Sequence, residues 1–553
     1  AKVAMAIGGM LALLLAVPAA AAAKVLILLA SLGPTAALAS CISLTYQLIF
    51  LYLLPLAGMQ LWRLRAACAR SKVIGFLHPF CNDGGGGERV LWVAVMELTR
   101  QQSLRGEDGV AGLHSKSWEK QEAGPAAPGG PTAASFEVVV YTGDEASDEE
   151  IRAHARARFG LEVPKAVRFV RLRYRRVVEP SCYPVATLLG QCVGSLWLLL
   201  EALCREPPRV LVDTTGFGFA YVLAKLCGVG GVACYVHYPI VSSDMLARVA
   251  ERKAEHNNAA LISRSSLLTA LKLGYYRLLL AAYSFSGSHA DVVMANGTWT
   301  AAHLKRLWAR EVSVVYPPCD THALEQLPLG PRPTSVLTIV SIAQFRPEKD
   351  HALQLRAFAL LLRKAREKTR EGRSNNAQGL VPDAAASTVP RVRLVLAGAV
   401  RHAADKRRLE KLQDLAAELG LTSDEVHFAP NLPRSALMEL YGSAAVGLHT
   451  MWNEHFGIGV VEMMAAGVPS IAHASGGPAL DIIDAGRTGM LATTADEYSE
   501  ALAALLYAPD AAVTRQRIAR QARESVRERF SQEQFAATFV ANMRRVLLRC
   551  RFG

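Results

Sequence analysis

No D-x-D pair of carboxylates occurs anywhere in this chain, so a common sequence cue for a metal ion clamped on a diphosphate is missing. No C-x-x-C pair occurs either. The ten cysteines (Cys41, Cys68, Cys81, Cys182, Cys192, Cys204, Cys227, Cys234, Cys319 and Cys550) sit mostly among apolar residues, as reduced core thiols do, which favours the cytosolic side of a membrane. The run of four glycines at 84–87 is neither Gly-x-Gly-x-x-Gly nor followed by Lys-Ser/Thr, so nicotinamide-binding and ATPase readings both weaken. No basic stripe interleaved with aromatics stands out, so the net charge of +13 points to an anionic membrane surface or a phosphorylated substrate, and no nucleic acid is expected. With 51% hydrophobic residues the chain is neither disordered nor fibrous, and 553 residues suffice for two ordinary domains with additions.

Two long apolar runs open the chain, at 3–32 and 42–62. The second carries no charge and is long enough to cross roughly 30 Å of hydrocarbon. Arg63, Arg65, Arg70 and Lys72 follow it, which by the positive-inside rule places everything downstream in the cytosol. The first, interrupted by Pro18 and Lys24, reads as a second span, a cleaved targeting segment or a re-entrant stretch. Residues 1–71 are therefore expected to form a transmembrane anchor.

From residue 72 short apolar runs alternate with longer amphipathic ones. Strands are expected at 73–77, 136–141, 167–170, 210–213, 232–236 and 291–295. A linker begins at Tyr316-Pro317-Pro318, and further strands are expected at 336–342, 392–397, 426–429, 445–449 and 469–472. The alternation predicts two Rossmann-like, doubly wound α/β domains, 72–318 and 319–553, with the last helix packing back on the first domain. Residues 103–135 and 366–389, rich in Gly, Ala, Pro, Ser and charge, read as disordered surface insertions. Residues 185–204 and 267–283 are strongly apolar inside the first domain, either buried helices or helices that dip into a bilayer.

The chemistry-bearing stretch is Asn453-Glu454-His455-Phe456-Gly457-Ile458-Gly459-Val460-Val461-Glu462, followed by a small-residue helix that stops at Gly467-Val468-Pro469. Gly457 and Gly459 let backbone approach a ligand, and the helix behind them aims free N–H groups at it. Two glutamates eight apart mean little among 48 acidic residues. The glycines, the aromatic and the helix stop lift the pattern to a site for a phosphate flanked by hydroxyls. Gly84, Gly85, Gly86 and Gly87 join a strand to a helix and can wrap an anion at the helix N-terminus. His237, at a strand's carboxyl end before Tyr238-Pro239, and the segment 213–218 are expected to face the same crevice. Arg346 and Lys349 would project into the cleft as a diphosphate-binding pair. Gly476 and Gly477, between a strand and a helix, read as one more anion site. With no metal motif, these groups would do the work of a metal ion, so no metal and no cofactor are expected.

Residues 453–467 resemble the Glu-x7-Glu signature of retaining GT-B glycosyltransferases, which use nucleotide sugars. Residues 78–92, 235–246, 316–320 and 451–466 resemble more narrowly the GDP-mannose-dependent α-1,2-mannosyltransferases of dolichol-linked oligosaccharide assembly, with Asp83 standing where a small residue is expected. The resemblance covers about 72 to the C-terminus, apart from the two insertions, and implies a GT-B fold whose two domains face a cleft, the first for acceptor and the second for nucleotide sugar. It implies that Glu462 binds the ribose hydroxyls of GDP and Glu454 those of mannose, with Arg346 and Lys349 on the diphosphate. Backbone N–H groups from Phe456 through Gly457, Ile458 and Gly459 would assist, His237 would contact the donor sugar, and Gly84–Gly87 would lie between donor phosphates and acceptor. It further implies front-face transfer with retention, in which the leaving phosphate takes the acceptor proton. The partners so implied are GDP-mannose, a dolichyl-diphosphate oligosaccharide on the cytosolic face of the endoplasmic reticulum membrane, and other mannosyltransferases of the pathway. The rivals are a related lipid-directed GT-B transferase with another nucleotide sugar and a non-catalytic scaffold subunit. Asn296-Gly297-Thr298 is a formal glycosylation sequon, and a glycan there would reverse the topology.

Overall fold

Two separate parallel sheets carry the strands in the computed structural model, which describes residues 54–107, 136–241, 266–329, 335–377 and 390–550. The first comprises β1 (Val73–Leu77), β2 (Glu137–Thr142), β3 (Arg168–Arg171), β4 (Val210–Asp213), β5 (Gly231–Val236), β6 (Val292–Ala295) and β7 (Val312–Val314), in the order β3-β2-β1-β4-β5-β6-β7. The second comprises β8 (Val336–Ile342), β9 (Arg391–Gly398), β10 (Val426–Pro430), β11 (Ala444–His449), β12 (Ser470–His473) and β13 (Met490–Ala492), in the order β10-β9-β8-β11-β12-β13. Strands β1, β4, β5, β11 and β12 are buried at every residue, which is why they read as unbroken apolar runs rather than as alternating ones. Each sheet reverses its winding once, between β1 and β4 and between β8 and β11. Loops leaving the carboxyl ends of such strands diverge and open a crevice.

The expected strands are present with ends shifted by a residue or so. The three-residue edge strands β7 and β13 were not anticipated, because neither contains an apolar run long enough to register. The insertion expected at 366–389 needs correction, since the helix His351–Ala377 continues through its first part. Its Lys, Arg and Glu residues are good helix formers, so a stretch without an apolar pattern can still continue a helix. Ser103–Glu107 likewise complete the helix Gly86–Glu107. The rest of both insertions lies outside the described residues, as do residues 1–53 with the first apolar run and most of the second.

Local signals set the helices that position the cleft. Helix Asp148–Phe159 starts at a capping box, Ser147 with Glu150, and stops at Gly160, whose φ of 70° suits glycine. That stop leaves Arg158 reaching Gly84 O at 3.1 Å. The C-terminal helix Gln532–Cys550 leaves the second domain and packs on the first sheet, placing Phe535, Phe539, Met543 and Val546 in one core with Val210, Ala233 and Tyr235. Gly231 allows this approach, for a Cβ there would lie 2.3 Å from Val546 Cγ2.

Helices Leu54–Arg70, Thr187–Arg205 and Ser266–Gly287 share a second core of the first domain through Cys68, Leu198, Leu199, Ala202, Tyr276 and Tyr283. Their outer faces leave Trp62, Trp197, Leu278 and Phe285 exposed. Among the described residues one helix, Thr187–Arg205, is long and apolar enough to cross a membrane, although much of it is buried against the domain.

Candidate active site

A cleft of about 1540 Å³ runs between the carboxyl ends of the two sheets. It is lined by the loops after β1, β5, β8 and β11, the strands at and beside both switch points. Gly84, Gly85, Gly86, Gly87, His237, Arg346, Lys349, Glu454, Phe456, Gly457, Ile458, Gly459 and Glu462 all line it.

Gly457 has φ of 106°, in the region that favours glycine, and starts helix Ile458–Ala465. The helix N-terminus therefore opens on the cleft, and Glu462 comes one turn later on the face that lines it. The Tyr441 hydroxyl donates to Glu462 at 3.2 Å. Burial pushes the Glu462 carboxyl up, opposed by Arg89, the Tyr441 bond, Arg158 and Arg434. Glu454 accepts from Lys349 and, at 3.2 Å, from His449 Nε2. Burial alone would raise the Glu454 carboxyl, but the His449 bond and the Lys349 charge hold it well below the usual carboxylate range. Lys349 thus stands paired with a carboxylate, not simply beside Arg346.

His237 directly follows β5, and its Nε2 is buried with no hydrogen-bond partner among the described residues. Burial and the neighbouring His78 push its pKa down to about 4, so the ring is neutral at physiological pH. Gly87 lies against it, since a Cβ there would be 3.5 Å from His237 Nε2. The His78 ring bonds Thr214 Oγ1 at 2.7 Å and lies 3.8 Å from Glu88.

Two expectations are corrected. Gly476 and Gly477 do not line the cleft: a Cβ on either would meet backbone of residues 453–456 at 2.3 Å, and the Gly477 N–H donates to Glu454 O at 2.7 Å. The helix after them has five residues and starts with Pro478, which has no N–H, so the pair supports the Glu454 loop instead of binding an anion. The segment 213–218 is also support, because Asp213 is spent on Thr215, Gly216 and Tyr221.

The sequence reading missed several lining groups. Arg89, Arg158, Arg401 and Arg434 join Arg346 and Lys349 in making the cleft basic. Tyr238 stacks on His455 across the domains, with ring centroids 5.2 Å apart and planes at 11°, and Trp299 packs against the same His455 at 4.8 Å. Asn296 of the sequon is buried, and Thr298 bonds Asp481 through its N–H and hydroxyl, so the folded site cannot present that asparagine for glycosylation. Among the described residues no group of three or more His, Cys, Asp or Glu could hold a metal ion.

The first domain matches the model of the ALG11 mannosyltransferase N-terminus at 71–106 and 131–308, and the second that of glycosyl transferases group 1 at 330–525. The GDP-Man:Man(3)GlcNAc(2)-PP-Dol alpha-1,2-mannosyltransferase of Xenopus laevis is 41% identical over 86% of this chain and 87% of its own length. The chain belongs to the ALG11 family of mannosyltransferases. The human relative of the same name is 40% identical over the same shares, and that of Dictyostelium discoideum 39% identical over 84% of this chain and 83% of its own. The enzyme shares its GT-B fold with a glycosyltransferase of Rickettsia africae (TM-score 0.52, 12% identity, 88% of this chain and all of the other). Anabaena Alr3699/HepE, solved with UDP and glucose, is as similar in fold (TM-score 0.51, 14% identity, 86% of this chain and all of the other).

Proposed function

We propose that the enzyme transfers mannose from GDP-mannose to dolichyl-diphosphate-linked trimannosyl chitobiose, making α-1,2 linkages with retention and adding the fourth and fifth mannoses. The observation that carries this reading is one basic cleft, at two facing switch points, in which Lys349 already grips Glu454 with Arg346 and Glu462 on the same lining.

That geometry supports the roles the resemblance implies. Glu462 accepts from the ribose hydroxyls, and Glu454 from hydroxyls of the mannose. The diphosphate draws Lys349 and Arg346, and the open N–H groups from Phe456 to Gly459 meet it at the helix start. Charge growing on the departing phosphate is thereby stabilised by fixed cations and dipoles, and this asks for no metal or cofactor. His237 offers the donor sugar its Nε2, which has no partner among the described residues, and because the ring is neutral it does not repel positive charge developing at the anomeric carbon. The acceptor hydroxyl attacks from the face that the phosphate leaves and gives that phosphate its proton. Gly84–Gly87 allow acceptor and phosphates to approach one another there, and the Tyr238–His455 stack offers an aromatic surface to the acceptor sugar.

The dolichyl chain fits the surface formed by helices Leu54–Arg70, Thr187–Arg205 and Ser266–Gly287. Tyr276 of the last of these lines the cleft while Leu278 and Phe285 face outwards. We place that surface on the cytosolic leaflet of the endoplasmic reticulum membrane, where other mannosyltransferases of the pathway are its neighbours.

The test offers labelled GDP-mannose or UDP-GlcNAc to the purified enzyme with the trimannosyl acceptor. Transfer from GDP-mannose is expected, and transfer from the UDP sugar alone would overturn the reading.

A further inference from the structure

Glu454 is held by two nitrogen donors, and only one of them can follow the donor's phosphates. Lys349 Nζ and His449 Nε2 both bond the same carboxylate oxygen, Oε2, which leaves Oε1 without a partner among the described residues. Lys349 ends a flexible four-carbon stem. His449, the last residue of β11, is 6% exposed, and its main chain is held from both sides. Tyr498 Oη donates to its carbonyl at 2.8 Å, and the next residue, Thr450, donates to Lys349 O at 2.9 Å while accepting from Gln354 Nε2 at 2.8 Å. An ionised carboxylate only accepts, so His449 Nε2 carries the proton of this bond.

We infer that His449 is a positioning residue of the donor site, which keeps Glu454 directed at the sugar while Lys349 is handed from Glu454 to the donor's diphosphate. This rests on the donor reading given above. In the donor-free enzyme Lys349 neutralises Glu454. An arriving diphosphate carries more negative charge than one carboxylate and competes for the same ammonium. Once Lys349 has moved, His449 is the hydrogen bond left to the Glu454 carboxylate among the described residues, and it acts on Oε2, so Oε1 is free for a sugar hydroxyl. Without His449 the carboxylate loses its direction once Lys349 has moved to the diphosphate, and the sugar finds no oriented acceptor.

GDP and GDP-mannose separate this role from a general structural one, because only the second has a sugar for Glu454 to hold. Calorimetric binding of both ligands is compared for the full chain, for His449→Leu and His449→Asn, which remove the bond, and for His449→Gln, whose amide N–H can restore it. Both removal variants are expected to bind GDP-mannose roughly tenfold or more weakly and GDP within about twofold of the unaltered enzyme, with the KM for GDP-mannose rising in parallel. His449→Gln is expected to regain most of the loss. Equal weakening of both ligands, no weakening of either, or a glutamine variant no better than leucine would overturn the inference. If the unaltered enzyme itself fails to bind GDP-mannose, the donor reading falls and takes this inference with it.

Discussion

Gly477→Ala tests whether the Glu454 loop is set by the glycine pair behind it. A Cβ at position 477 would lie 2.3 Å from Phe456 O, 2.5 Å from Phe456 Cα and 2.8 Å from Phe456 C, all backbone atoms that no rotamer change can clear. The same glycine's N–H bonds Glu454 O, and Ser475 Oγ accepts the Asn453 N–H at 2.8 Å, so the loop cannot retreat as a unit without losing those bonds. Relief of the overlap needs a shift of roughly 1 Å, enough to cost on the order of 100-fold in turnover when it displaces a substrate-binding group. That factor corresponds to about 2.7 kcal/mol of transition-state stabilisation. The assay is the initial rate of mannose transfer from GDP-mannose at varied donor, with a thermal melt to show that the variant is folded. Gly274→Ala is the matched control: nothing among the described residues lies within 4 Å of its added Cβ inside helix Ser266–Gly287, and alanine suits a helix interior better by roughly 0.5–1 kcal/mol. It should transfer normally and melt no lower. A folded Gly477→Ala enzyme with unaltered kcat/KM would refute the reasoning.

Glu462→Ala should abolish transfer while leaving the melting temperature near that of the unaltered enzyme, because the Glu462 carboxylate is better explained by ligand binding than by packing; retained turnover would contradict the assignment. Lys349→Met should weaken both GDP and GDP-mannose and lower kcat by roughly 100-fold or more, since it removes charge from the leaving phosphate; a loss confined to GDP-mannose would contradict the hand-over of Lys349. Acidification should destabilise the fold well above the carboxylate range. Burial, together with His78 for His237 and with Arg408 and Lys349 for His351, pushes both pKa values down to about 4. The unfolded chain takes up these protons near pH 6.5 and the folded one does not, so stability is full above that pH and is lost as pH falls towards 4. Between pH 7 and pH 5 the loss is about 2 kcal/mol for each ring, and a melting temperature that stays flat over that range would refute it.

The fold was largely legible because its strands are buried on both faces and so leave apolar runs that need no partner to be recognised. Strands β7 and β13 were not, because a three-residue edge strand is defined by its neighbour and not by its own composition. The donor-side residues were readable where chemistry is local, as at Glu454 to Glu462 or in the four glycines after β1. The arginines of the cleft were hidden because Arg89, Arg158 and Arg434 come from three helices distant in sequence and converge only in the folded chain. Gly477 was misread for the reason that makes its variant informative. Glycine before a helix suggests an anion site, and only in the folded chain does backbone fill the space its missing Cβ leaves. His449 looked like the end of an apolar strand, and its bond to Glu454 gave it a different meaning.

The most direct test of the whole account is the mass and linkage of the product formed from GDP-mannose and dolichyl-diphosphate-linked trimannosyl chitobiose. The account predicts an acceptor heavier by two hexoses, both removed by an α-1,2-specific mannosidase. An unchanged acceptor, or an added sugar that this mannosidase cannot remove, would contradict it.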